Sequence, residues 1–78
     1  MVVKILGTGC AKCKKLETET REVALRNNIS AEFIKVEDIQ EIMKYGILRT
    51  PGLVINEKVV SSGIIPKEEE ILAWLNAE

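Results

Sequence analysis

The chain has 78 residues, 46% of them apolar, and a formal charge of −1. That length suits one domain over residues 1–78 and is too short for two. The charge lacks the basic excess that nucleic-acid binding needs, the aromatics Phe33, Tyr45 and Trp74 are too scattered to stack bases, and no apolar run approaches the roughly 18 residues of a membrane span.

Val2 to Leu6 is a β-branched apolar run and reads as a buried strand, broken by Gly7-Thr8-Gly9. From Ala11 to Asn27 the pattern is helical: Cys13, Leu16, Thr20, Val23 and Ala24 fall three and four apart and form one inward stripe. Asn27-Asn28 is the expected helix end, because Asn tolerates the left-handed conformation. Phe33, Ile34 and Val36 predict a second strand. Asp38 and Glu41 form a capping-box-like pair that opens a short helix through Ile39, Ile42 and Met43, with Gly46 as its stop. Leu53-Val54-Ile55 and Val59-Val60 predict two more strands, joined tightly through Asn56-Glu57-Lys58. Pro66 is expected in the first turn of a last helix, where Glu68, Glu69 and Glu70 complement the dipole and Ile71, Leu72 and Leu75 face the core.

The order is therefore β-α-β-α-β-β-α, an α/β domain. A right-handed crossover makes the first two strands parallel, the last two are antiparallel, and helices cover both faces of a four-stranded mixed sheet.

The chemistry concentrates at Cys10-Ala11-Lys12-Cys13, just after a strand and at the start of a helix. Unpaired N–H groups and the dipole at a helix start favour an anion, so the Cys10 thiol is expected to ionise early, with Lys12 as an additional tuning cation. Cys13, one turn in, is placed to attack a mixed disulfide formed at Cys10. Two other readings exist. Both cysteines could be ordinary core residues, which the exposed Gly-Thr-Gly flank argues against. The pair could also hold a soft ion such as Cu(I). With no histidine and no third cysteine, no zinc site is expected, and no cofactor beyond the Cys10–Cys13 pair. Lys12, Lys14 and Lys15 form a basic cluster beside the pair, read as a solvated face or as an attraction for an acidic partner. The first residues show no basic region followed by an apolar one, so the expected compartment is the cytoplasm, where structural disulfides are rare.

Gly7-Thr8-Gly9-Cys10-Ala11-Lys12-Cys13 resembles the loop of heavy-metal-associated metallochaperone domains, but those end in a strand, whereas Lys67 to Leu75 here is strongly helical. The second landmark, Thr50-Pro51, sits between the short helix and a strand. Together with the CxxC pair it resembles the thioredoxin-like superfamily. The features of its very small archaeal and bacterial members, called redox-active disulfide or glutaredoxin-like proteins, recur as Lys4 to Cys10, Cys13-Lys14-Lys15-Leu16, Tyr45-Gly46, Thr50-Pro51 and Leu53-Val54-Ile55.

The resemblance covers the whole chain and implies a thioredoxin-like fold and thiol–disulfide oxidoreductase activity. It further implies a cis proline at Pro51, substrate contacts at Gly9, Thr50 and Pro51, and a disulfide-bearing protein substrate with a cytosolic reductase as partners. The expected state is a monomer. Gly9 stands where classical thioredoxins have Trp and Ala11-Lys12 where they have Gly-Pro; the Pro-Tyr that glutaredoxins have between their cysteines is also missing, and Ser62-Gly63 stands in place of their Gly-Gly, so weak or absent glutathione specificity is expected.

Overall fold

A computed structural model describes residues 1–77; Glu78, the last residue of the expected domain, lies outside them. The elements are β1 (Val2–Leu6), α1 (Ala11–Arg26), β2 (Glu32–Val36), α2 (Ile39–Met43), β3 (Gly52–Ile55), β4 (Lys58–Ser62) and α3 (Glu68–Ala77). They build one four-stranded sheet in the order β2-β1-β3-β4. β1 runs parallel to β2 and antiparallel to β3, and β3 is antiparallel to β4. With α2 on the face opposite α1 and α3, this is the mixed α/β arrangement the sequence pattern predicts.

Strand alternation divides the core between the two faces. Val3, Ile5, Leu53 and Ile55 meet Leu16, Val23 and Ala24 of α1 and Ile71 and Leu75 of α3. Leu6 and Val54 point the other way, onto Ile42 of α2, with Val36, Tyr45 and Ile47 packed around them. The stripe on α1 is buried along its whole length, including Thr20, whose hydroxyl donates to the Leu16 carbonyl at 2.7 Å. Leu16 is completely buried between the helix and the sheet. Leu16→Ala is expected to cost about 2–5 kcal/mol, read as a lower urea midpoint at unchanged slope. A loss under 1 kcal/mol would show that this layer is not closely packed.

Four local expectations need correction. Lys4 interrupts the apolar run of β1 and projects from the α2 face, where its Nζ lies 2.7 Å from Glu57 Oε1 and donates to the Tyr45 hydroxyl at 2.8 Å. The hairpin loop is only Asn56-Glu57, both at positive φ (49° and 67°), which is the conformation of a type I′ turn. A left-handed glutamate is unfavourable by about 1–2 kcal/mol, and the contacts of its carboxylate with Lys4 and Tyr45 act against that cost.

The Asp38–Glu41 box is half realised. Asp38 Oδ1 accepts from the Gln40 N–H at 2.8 Å, while Glu41 turns away to Lys44. Pro66 precedes α3 rather than opening it: the Lys67 carbonyl accepts from the Ile71 N–H, and the Lys67 N–H donates to Glu70 Oε1. The end of α1 follows expectation, with Asn28 at φ 55° and the Ile29 N–H returning to the Ala24 carbonyl.

Candidate active site

The dithiol sits at the seam between β1 and α1. Gly7 extends the β1–β2 pairing by one bond, its N–H donating to the Val36 carbonyl at 2.9 Å. The chain then turns through Gly9, at φ 87°, a conformation that suits glycine and sets Cys10 at the mouth of α1. Cys10 is the N-cap: its backbone is extended, its carbonyl accepts the first helical bond from the Lys14 N–H, and its Sγ accepts from the Cys13 N–H at 3.3 Å.

The two thiols occupy opposite environments. Cys10 is exposed, whereas Cys13 is 5% exposed and belongs to the inward stripe of α1. The Cys10 thiol is held below the ordinary thiol range. The main cause is a hydrogen bond donated by the Cys13 thiol, followed by the Cys13 and then the Lys12 backbone N–H groups. Cys13 moves the opposite way, pushed up first by burial and then by that same donation to Cys10. Lys12 bears on Cys10 through its backbone N–H. The first turn of the helix satisfies the sulfur directly, while the exposed lysine head stays in water.

Alkylation follows from these directions, because only the thiolate reacts. In Cys13→Ser, Cys10 is expected to reach half its limiting alkylation rate at a lower pH than a free thiol. In Cys10→Ser, Cys13 is expected to react slowly, with its half-point higher. Faster alkylation of Cys13 near neutral pH would reverse the assignment.

Around the pair, the Thr50–Pro51 bond is cis, and Thr50 Cβ lies 3.9 Å from where a Cβ on Gly7 would stand. Pro51 itself is fully buried and its carbonyl accepts from the Gly63 N–H at 2.8 Å. Thr50 is the exposed member of the pair and borders the same groove as Thr8. Gly9 is exposed beside Cys10.

Gly7 was not singled out from sequence. A Cβ there would overlap Cys13 Sγ, so glycine is what lets the buried sulfur approach β1. Only the Gly7-Thr8-Gly9 break hinted at it. On the other side, a cavity of about 20 Å³, room for one water, lies against Cys13 with Glu17, Lys35 and Glu37 in its wall. Among the described residues no three His, Cys, Asp or Glu side chains cluster as metal ligands. No helix there is long and apolar enough to cross a membrane.

The sequence pattern of the thioredoxin domain matches residues 1–76. The chain belongs to the thioredoxin family. It is 37% identical over 71 residues to a thioredoxin of Methanothermobacter thermautotrophicus, covering 91% of this chain and 92% of that one. A thioredoxin of Methanocaldococcus jannaschii is also 37% identical over 71 residues, covering 91% and 81%. At the level of this family the chain is a thioredoxin-like thiol–disulfide oxidoreductase, and Cys10 and Cys13 fit the CxxC spacing.

Proposed function

We propose that the chain reduces disulfides in protein partners through Cys10 as attacking thiol and Cys13 as resolving thiol, with this dithiol as its only redox group. The observation that carries the reading is the pairing of an exposed, acid-shifted Cys10 at the cap of α1 with a buried Cys13 one turn in.

The Cys10 thiolate attacks one sulfur of the partner's disulfide. A Cys10–partner disulfide forms, and the partner's other sulfur leaves as a thiolate and takes a proton. Cys13 then gives up its proton and attacks Cys10 Sγ. The second partner thiol is released, and a Cys10–Cys13 disulfide remains. Two electrons have moved from the chain to the partner, and a cytosolic disulfide reductase restores them. Gly9, next to Cys10 in the chain, and Thr50, near Gly7, are both exposed and are the segments open to the partner's chain.

The test is turnover of a protein disulfide with dithiothreitol as electron source. Wild type should exceed the uncatalysed rate, and Cys10→Ser should fall to that background. Equal rates for the two would remove Cys10 from the mechanism.

A further inference from the structure

The charges around the dithiol differ in kind from those elsewhere on the surface. Lys4, Arg21, Arg26, Lys35 and Lys44 each lie within 4 Å of a carboxylate. Among the described residues, Lys12, Lys14, Lys15, Arg49, Lys58 and Lys67 do not. Three of those six lie on the first turns of α1, and a fourth, Arg49, borders the groove of Thr8 and Thr50. Lys12 lies between the cysteines, Lys14 walls the cavity at Cys13, Lys15 follows on α1, and Arg49 directly precedes Thr50.

The acidic groups that face them are mostly committed. Glu17 is held by Arg21 and Lys35, Glu41 by Lys44, and Asp38 caps α2. Among the described residues Asp38, Glu37 and Glu19 form no ion pair, and Glu37 is the one nearest the cysteines in the turn, its Oε2 3.7 Å from where a Cβ on Gly9 would stand. The mouth of the site is therefore net positive on a chain whose overall charge is −1.

A second feature adjoins it. The apolar spacing of α2 suggests that Ile39 and Met43 are core residues, yet they are 62% and 66% exposed, and Leu48 is fully exposed. With Thr8, Arg49 and Thr50 they line one groove of about 260 Å³. A mixed disulfide fixes the partner's sulfur about 2.05 Å from Cys10 Sγ. The residues flanking the partner's cysteine then come within reach of Thr8, two residues before Cys10 and on the edge of this groove, and of Lys12, two residues after it.

We infer that the preferred substrate is a disulfide in an acidic segment, with an apolar side chain next to the attacked cysteine. The apolar side chain enters the Ile39–Met43–Leu48 groove, and the carboxylates face Lys12, Lys15 and Arg49. This rests on Cys10 as the attacking thiol. Free cations around a site raise encounter rates with anionic partners by about ten-fold or more at low salt, and the gain is screened as the Debye length falls below about 10 Å.

Three disulfide-linked peptides of equal length test it: one acidic with leucine beside the cysteine, one basic with the same leucine, and one acidic with glycine in place of leucine. The readout is the second-order rate of reaction with the reduced chain at low and high ionic strength. The acidic leucine peptide should react about ten-fold faster than the basic one at low salt, and the gap should narrow at high salt. Glycine for leucine should slow it several-fold at either salt.

Lys12→Glu/Lys15→Glu/Arg49→Glu should invert the acid-to-base preference. That ratio is taken within one variant, so it does not depend on how much of it is folded or on a uniform change in Cys10 reactivity, and the milder Lys15→Gln/Arg49→Gln should reduce it. Equal rates for acidic and basic peptides would overturn the substrate class while leaving the oxidoreductase reading intact. No reaction with any of the three would overturn both.

Discussion

Cys13→Ser should turn a transient covalent intermediate into one that accumulates. In the intact chain the Cys10–partner disulfide has a buried thiol one helical turn away, ready to displace the partner. A serine hydroxyl in that place does not ionise near neutral pH and cannot perform the displacement. It does keep an O–H to donate to Cys10 Sγ, and the backbone N–H of residue 13 continues to point at that sulfur at 3.3 Å. The largest influences on the Cys10 thiol are these two donors. The attacking step should thus survive while the resolving step is lost, and a mixed disulfide should be recovered in near-stoichiometric yield after acid quenching.

Cys13→Ala separates the two roles. It removes the side-chain donor, so Cys10 should return toward the ordinary thiol range and alkylate more slowly near neutral pH than in Cys13→Ser. If the mixed disulfide turns over as fast in Cys13→Ser as in wild type, Cys13 does not resolve it. If Cys13→Ala and Cys13→Ser alkylate at Cys10 alike, the side-chain hydrogen bond is not what holds the thiol down.

Much of the fold was legible because two periodicities are clean in this chain. The stripe of Cys13, Leu16, Thr20, Val23 and Ala24 is buried as its spacing requires, and the strand runs at Val2–Leu6 and Leu53–Ile55 are where the sheet forms. What escaped depends on partners distant in sequence. Lys4 looks like an interruption of a strand until Glu57, 53 residues later, comes to stand 2.7 Å from it. Ile39 and Met43 follow the spacing of a buried face, but α2 has five residues and only Ile42 reaches the sheet. The dithiol was legible from spacing alone, since a cap position and an inward position three residues on are fixed by helix geometry. The environment that sets its asymmetry was only partly so. Lys12 suggested a neighbouring cation, while the donors of the helix's own first turn, which lead among the groups that lower the thiol, take their places only in the folded chain.

Gly7→Ala should displace the resolving thiol and, with it, the donor that holds the attacking thiol down. Gly7 carries no positive φ, so its role is one of space: a Cβ there overlaps Cys13 Sγ and stands 3.1 Å from Cys13 Cβ. The sulfur is at the end of a short side chain in a closely packed layer, so relief requires it to rotate away from β1 or the strand to part from α1. Overpacking of this kind costs about 1–3 kcal/mol, a large share of the stability of a domain this small. Either relief moves Sγ from its place beside Cys10.

Two consequences distinguish this from a general loss of stability. Cys10, on the exposed side of the turn, should still be alkylated in full but more slowly near neutral pH, as in Cys13→Ala, while the mixed disulfide should persist longer than in wild type. The two positions should also be coupled: with the sulfur removed by Cys13→Ala, Gly7→Ala should cost markedly less than it does in the wild-type background, because its main obstruction has gone. Urea midpoints of the four proteins in that cycle give the coupling directly. Additive costs would mean that the space in front of Gly7 is not reserved for the resolving sulfur.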